Sequence, residues 1–280
     1  MLGCARIVAA DGMHALRTTW LTPPVGSIIA HVMRTLTFYA AVIAVLCICR
    51  VDAAQITVLS SNGVREAVTE LIPQFEKATG HRVQVVWDGS LNIKKRIGSG
   101  EVAELVILPA ADVDDLIATG GLTAGSRVDV AKSIIGVAVR SGVAKPDISS
   151  GEHVKRAMLA AKSIIISSGP SGVHLLELME KQGIAATVRP RITQLASGQP
   201  VGEALARGEG DLGFQQVSEL LHVKGITYVG PLPADVQKVT TFAGGVPKTA
   251  KDAAVAREFL TFLRSPRNAG VLKKAGLERP

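Results

Sequence analysis

Three times along this chain an apolar strand core runs into Ser or Asn beside Gly, and a helix begins at once. The three corners are Ser60-Ser61-Asn62-Gly63, Asp88-Gly89-Ser90 and Ser167-Ser168-Gly169-Pro170-Ser171-Gly172. In a parallel α/β sheet such corners share one edge, at the carboxyl ends of the strands. Each offers unpaired backbone N–H groups, the positive end of a helix dipole and small hydroxyls, with little side-chain bulk in the way. Helix capping alone accounts for any one of them. Three together, behind an export signal, favour a site for a small anion.

The pattern between the corners supports that class. Val64, Ala67, Val68, Leu71, Ile72 and Phe75 fall at helical spacing, which predicts an amphipathic helix over 64–79. Asn62 is placed to cap it and Gly80 to stop it. Strands are expected at 83–87, 105–108, 134–139, 164–167, 212–215 and 226–229, with helices at 112–118, 171–182, 201–207, 218–223 and 256–263. Apolar strands alternating with helices predict an α/β fold with mostly parallel sheets. The length favours two lobes with a cleft between them. Lobe 1 is expected to comprise 55–134 and 240–280, and lobe 2 to comprise 135–239, after an upstream extension and export signal over 1–54.

That signal is the apolar run Leu36 to Cys49, preceded by Arg34 and followed by the small residues Ala53 and Ala54. It is shorter than the roughly 20 residues that span a bilayer. Its composition and flanks match a cleaved export segment, with an uncleaved membrane anchor as the alternative, and Met33 is the better start. All three cysteines, Cys4, Cys47 and Cys49, precede residue 55. The exported part therefore lacks disulfides, Cys-ligated zinc and a thiol nucleophile. The net charge of +7 is scattered and aromatics make up only 4 %. Nucleic-acid binding, which concentrates charge and stacking side chains, is disfavoured. A mild positive potential does suit an anionic small ligand.

Catalytic patterns are sparse. There is no H-E-x-x-H, P-loop or dinucleotide-binding glycine fingerprint. Gly169-Pro170-Ser171-Gly172 departs from the hydrolase G-x-S-x-G elbow. His174, three residues after Ser171, leaves an exported serine hydrolase as one alternative, and a ligand sensor of the same fold is another. Gln215 and Gln216 end a short strand and present two amides, either to a ligand or to solvent.

Nearly all of Gln55 to Pro280 resembles the exported substrate-binding proteins of ABC importers, in the group that includes periplasmic molybdate-binding proteins. The motifs are 56–64 (ITVLSSNGV), Asp88-Gly89-Ser90-Leu91, 100–107 (GEVAELVI), Gly169-Pro170-Ser171-Gly172-Val173, 208–214 and the last long helix before Ser265-Pro266. The resemblance implies a type II periplasmic-binding fold, no catalysis, no cofactor or metal, and a monomer that hands its ligand to an inner-membrane permease. It implies a ligand site at Ser61, Asn62, Gly63, Ser90, Ser171, Gly172, Val201 and Gln216. Two positions depart from the molybdate binders. Gly63 stands where they carry a serine, and Gln216 where they carry a tyrosine. The expected ligand is thus a molybdate-like oxyanion or a small carboxylate.

Overall fold

In the computed structural model the described residues are 53–280, so the apolar run 36–49 and the rest of 1–52 lie outside them. The first half opens with β1 (Gln55–Ser61), a 3-10 turn at 62–64 and α1 (Arg65–Thr79). It continues with β2 (Arg82–Asp88), α2 (Ser90–Gly98), β3 (Leu105–Pro109) and α3 (Ala110–Ala118). The long strand β4 (Val128–Arg140) leads to α4 (Gly151–Ala160), β5 (Ile164–Ile166), α5 (Pro170–Lys181) and α6 (Ala185–Val188). Then come β6 (Ile192–Gln194), α7 (Val201–Ala206), β7 (Leu212–Gln216), α8 (Val217–Leu220) and β8 (Ile226–Pro231). The chain closes with β9 (Val239–Gly245), α9 (Ala253–Leu263) and α10 (Ala269–Lys274).

The strands run in the order β2-β1-β3-β9-β4-β7-β5-β6, with β8 also on β4. Two parallel trios, β2-β1-β3 and β6-β5-β7, are the parallel strands the pattern predicts. Between them lie antiparallel strands that the sequence shows only weakly. β4 pairs with β9 through Ile134, then with β7 from Ile135 onward. One strand thus serves both trios, and β9 returns beside it to pair with β3.

The inner strands of each trio are covered on both faces, which is why β3 and β5 read as apolar runs rather than alternations. Ile56, Val58, Leu105 and Ile107 point into one core, with Phe75 and Phe259. Their neighbours Leu59, Val106 and Leu108 point into another, with Ile93 and Val113. In the second trio Ile164 and Ile166 face one cluster and Ile165 the opposite one. The Phe75 ring packs against those of Phe259 and Phe262, at 4.9 and 5.4 Å between centroids. Glu104, almost fully buried, accepts the Thr57 N–H at 2.7 Å and so ties the start of β3 to β1.

Corner geometry follows from small residues. A Cβ on Gly172 would overlap the Ser167 carbonyl. Only a glycine lets α5 begin so close to the end of β5. Gly172→Ala is therefore expected to lose about 1–3 kcal/mol through overpacking against backbone, measured by urea unfolding.

Candidate functional site

The three corners converge. Ser61, Asn62, Gly63, Gly89, Ser90, Ser167, Ser168, Gly169 and Ser171 all line one cavity of about 60 Å³. That is several times the roughly 10–15 Å³ needed by one water on the same measure, so it admits a small group of atoms. Gln215 and Gln216, at the end of β7, and the Phe242 ring of β9 complete much of the wall. Of the eight residues expected at the site, Ser61, Asn62, Gly63, Ser90, Ser171 and Gln216 stand in it. Gly172 lies just behind, under Ser167. Val201 starts α7 outside the wall, and its N–H is taken by Gln215 Oε1 at 2.9 Å.

Polar atoms in this wall lack partners. Ser61 is 6 % exposed and Gln216 2 %, yet Ser61 Oγ and Gln216 Oε1 make no hydrogen bond. Leaving a buried polar atom unpaired costs about 1–3 kcal/mol, so such atoms beside a cavity point to a ligand. Gln216 Nε2 meets Thr240 Oγ1 at 2.9 Å. A hydroxyl can donate or accept, so turning the amide over keeps that bond and presents the NH₂ to the cavity. Ser167 and Ser171 hydroxyls pair at 2.9 Å, and the first N–H groups of α2 and α5 have no intrahelical acceptor.

The halves are latched over this space. Asn62 Nδ2 donates to Gly198 O at 3.1 Å, and Asn92 Nδ2 donates to both Asp88 Oδ1 and Ser197 O. Ser218 Oγ donates to Gly63 O at 2.7 Å. Gly89 and Gly198 meet backbone to backbone: a Cβ on Gly89 would overlap Ser197 Oγ and Gly198 N. Gly198 sits at φ +88°, where glycine is favoured.

Gly63 has a specific reason to lack a side chain. A Cβ there would collide with the Phe242 ring. The tip of the Phe242 ring thus occupies the room that a serine hydroxyl would need, and one side of the cavity is apolar.

Sequence reading missed Glu219. It sits on α8, which the pattern showed only as a short helix. The structure puts the residue in the cavity wall, and Gln215 Nε2 donates to its Oε1 at 2.9 Å. Part of the residue's surface is open, but its carboxyl is packed among protein atoms. Desolvation pushes the carboxyl up to about 7, against the pull of the Arg65 charge and the Gln215 hydrogen bond. Beyond it lies a second cavity of about 720 Å³, which shares Asn62, Gly198 and Glu219 with the first and also borders Arg65, Arg207, His222 and Lys224. His174 is turned away: its Nε2 contacts Val236 O at 2.9 Å, so Ser171 has no histidine base beside it.

The architecture is that of a two-lobed periplasmic binding protein, with the three corners between the lobes. Residues 56–278 match the family of bacterial extracellular solute-binding proteins, and the chain belongs to that family. A relative from Pseudomonas sp., named aconitate isomerase, is 35 % identical over 228 residues, covering 80 % of this chain and 87 % of its own. The molybdate-binding protein of Azotobacter vinelandii is 25 % identical over 235 residues, covering 81 % and 91 %. A solved structure, the Azotobacter vinelandii periplasmic molybdate-binding protein, superposes with a TM-score of 0.67 at 22 % identity, over 80 % of this chain and 99 % of that one. One expectation is corrected here. The absence of catalysis, implied by the molybdate-binder resemblance, is overturned by the relative that carries an enzyme's name. Binding proteins and an isomerase share this scaffold, so the fold alone does not separate them.

Two outcomes test this geometry. A methyl at position 89 holds the lobes apart, so Gly89→Ala is expected to weaken ligand binding at least ~10-fold, about 1.4 kcal/mol, read by calorimetry, with unfolding of the ligand-free protein little changed. For Glu219, the native state binds its proton more tightly than the unfolded chain, whose carboxyl titrates near 4.5. Stability is thus expected to fall as pH rises from about 4.5 to about 7 and to level off above. Glu219→Gln should remove that slope, checked by Tm against pH.

Proposed function

We propose that the protein is exported to the periplasm, closes its lobes over a small unsaturated carboxylate, and isomerises it as the aconitate isomerase relative is named for doing. One observation carries the reading: a cavity of neutral donors and an aromatic ring edge in which, among the described residues, the sole ionisable side chain is that of Glu219. The Phe242 ring beside Gly63 suits a carbon skeleton better than a shell of oxygens. Ser61, Ser90, Ser171, the backbone at Gly63 and Gln216 hold one carboxylate, while Asn62 keeps the latch closed and Gly172, behind the wall, lets α5 start close to β5. Val201 acts through Gln215, which it anchors. The rest of the acid extends past Glu219 into the larger cavity, toward Arg65. Charge-assisted hydrogen bonds of roughly 1.5–3 kcal/mol each support binding without a buried cation.

A second reading keeps the same site. The 25 % identity to a molybdate-binding protein favours capture and delivery to an ABC permease in the inner membrane, with the protein acting as a monomer. The isomerase reading stands ahead because the first turn lacks the hydroxyl and the late strand the phenol that the molybdate binders carry.

Purified protein is to be incubated with trans-aconitate and followed by proton NMR, alongside thermal shifts with molybdate, sulfate, citrate and both aconitates. The expected result is conversion to the cis isomer, with an aconitate-dependent rise in Tm. At 100-fold excess over Kd that rise is about 5–10 °C for a domain of this size. A molybdate-selective shift with no conversion of aconitate refutes the isomerase reading and leaves capture.

A further inference from the structure

We propose that the Glu219 carboxylate is the proton-transfer group of this site, carrying one proton between two carbons of the bound unsaturated acid. The inference deepens the isomerase reading and rests on it. Its basis is placement. Among the described residues, no other side chain in the wall of the small cavity is ionisable. Ser, Asn and Gln side chains cannot take a proton from carbon near neutral pH, and His174 is engaged at Val236 O, away from the wall.

The carboxyl is also held in place. Gln215 bridges two fixed points, accepting the Val201 N–H through Oε1 and donating to Glu219 through Nε2, each at 2.9 Å. Glu219 borders both cavities, and the acid that spans them brings its central carbons past this point. The titratable and charged groups that line the larger cavity with it are Arg65 and Glu66 from α1, Glu203 and Arg207 at α7, and His222 and Lys224 after α8. Arg207 is occupied, its Nε lying 2.6 Å from Glu209 Oε1, while Arg65 is the cation that acts on Glu219. Burial raises the carboxyl into the range where a base is both available and strong at neutral pH.

The chemistry balances without a co-reactant. The Glu219 carboxylate removes a proton from the methylene carbon. The C–H electron pair becomes a new double bond to the central carbon, and the charge spreads onto the flanking carboxylate. Serine hydroxyls and helix N–H groups at the corners face that developing oxyanion. Protonated Glu219 then returns the proton to the former vinylic carbon. One C–H bond breaks, one forms, the double bond moves by one position, and its new geometry decides the isomer. No electron is gained or lost.

The test compares the wild-type protein with Glu219→Gln and Glu219→Asp, using trans-aconitate in D₂O by proton NMR. Wild type is expected to convert the substrate and to wash deuterium into it. Glu219→Gln should keep the aconitate-dependent Tm rise while losing both conversion and wash-in by about 10²–10⁴-fold. Glu219→Asp should retain partial activity with a shifted pH profile. An inactive wild type overturns the isomerase reading and this inference together. An active wild type with Glu219→Gln within ~3-fold of it overturns the role of Glu219 alone. Should Glu219→Gln fail to fold, the wild-type pH profile decides: kcat/KM rising through about pH 7 supports the assignment, and a flat profile from 5.5 to 8.5 overturns it.

Discussion

Gly89 and Gly198 touch across the cleft with no space for a methyl group on Gly89, and the rest of the site depends on that approach. Hydroxyls and amides are weak ligands for an anion in water, because water competes for every one of them. Drawn together in a small closed space, they act in a lower dielectric and strengthen one another. Closure is thus what would turn ordinary helix corners into a binding site. Asn62 and Asn92 latch the segment 197–198 onto the first half, and Ser218 reaches back to Gly63. A ligand that touches both halves adds to the same set of contacts, so it stabilises the closed state by its differential affinity for it.

Within that space two residues set the chemistry apart from a shell of neutral donors. Phe242 presses against Gly63 and makes one wall apolar. Glu219 adds a carboxyl where the other donors are neutral. A carboxylate beside a bound anion is a liability for simple capture, since like charges repel across a poorly solvated gap. The same group is useful when a proton must move. A scaffold that binds an oxyanion by dipoles already holds the donors that a carbanion next to a carboxylate requires.

Legibility in the sequence followed period and length. Strong amphipathic segments such as 65–79 and 253–263, and the apolar runs of the parallel trios, were readable because each buries a whole face. The helix at 151–160 went unread, although Ser150 accepts the His153 N–H as its cap. Antiparallel β9 was foreseen only as a return of the chain. Its residues, Val239 to Gly245, carry threonine and glycine in place of a long apolar run. Six of the eight expected site residues stand in the cavity wall because Ser–Gly corners announce themselves. Glu219 did not, since an acidic residue on a four-residue helix looks like any solvated turn.

The chain's own pattern settled the α/β class, and it gave as expectations the export segment and the corners where an anion would be met. These follow from hydrophobic period and from the steric freedom of glycine, which act over a few neighbouring residues. Tertiary structure alone decided which atoms face one another across the cleft. The pairing of Gly89 with Gly198, the Phe242 ring over Gly63 and the burial that raises Glu219 all join residues far apart in sequence. Contact, desolvation and field depend on distance in space, and only the folded chain sets those distances.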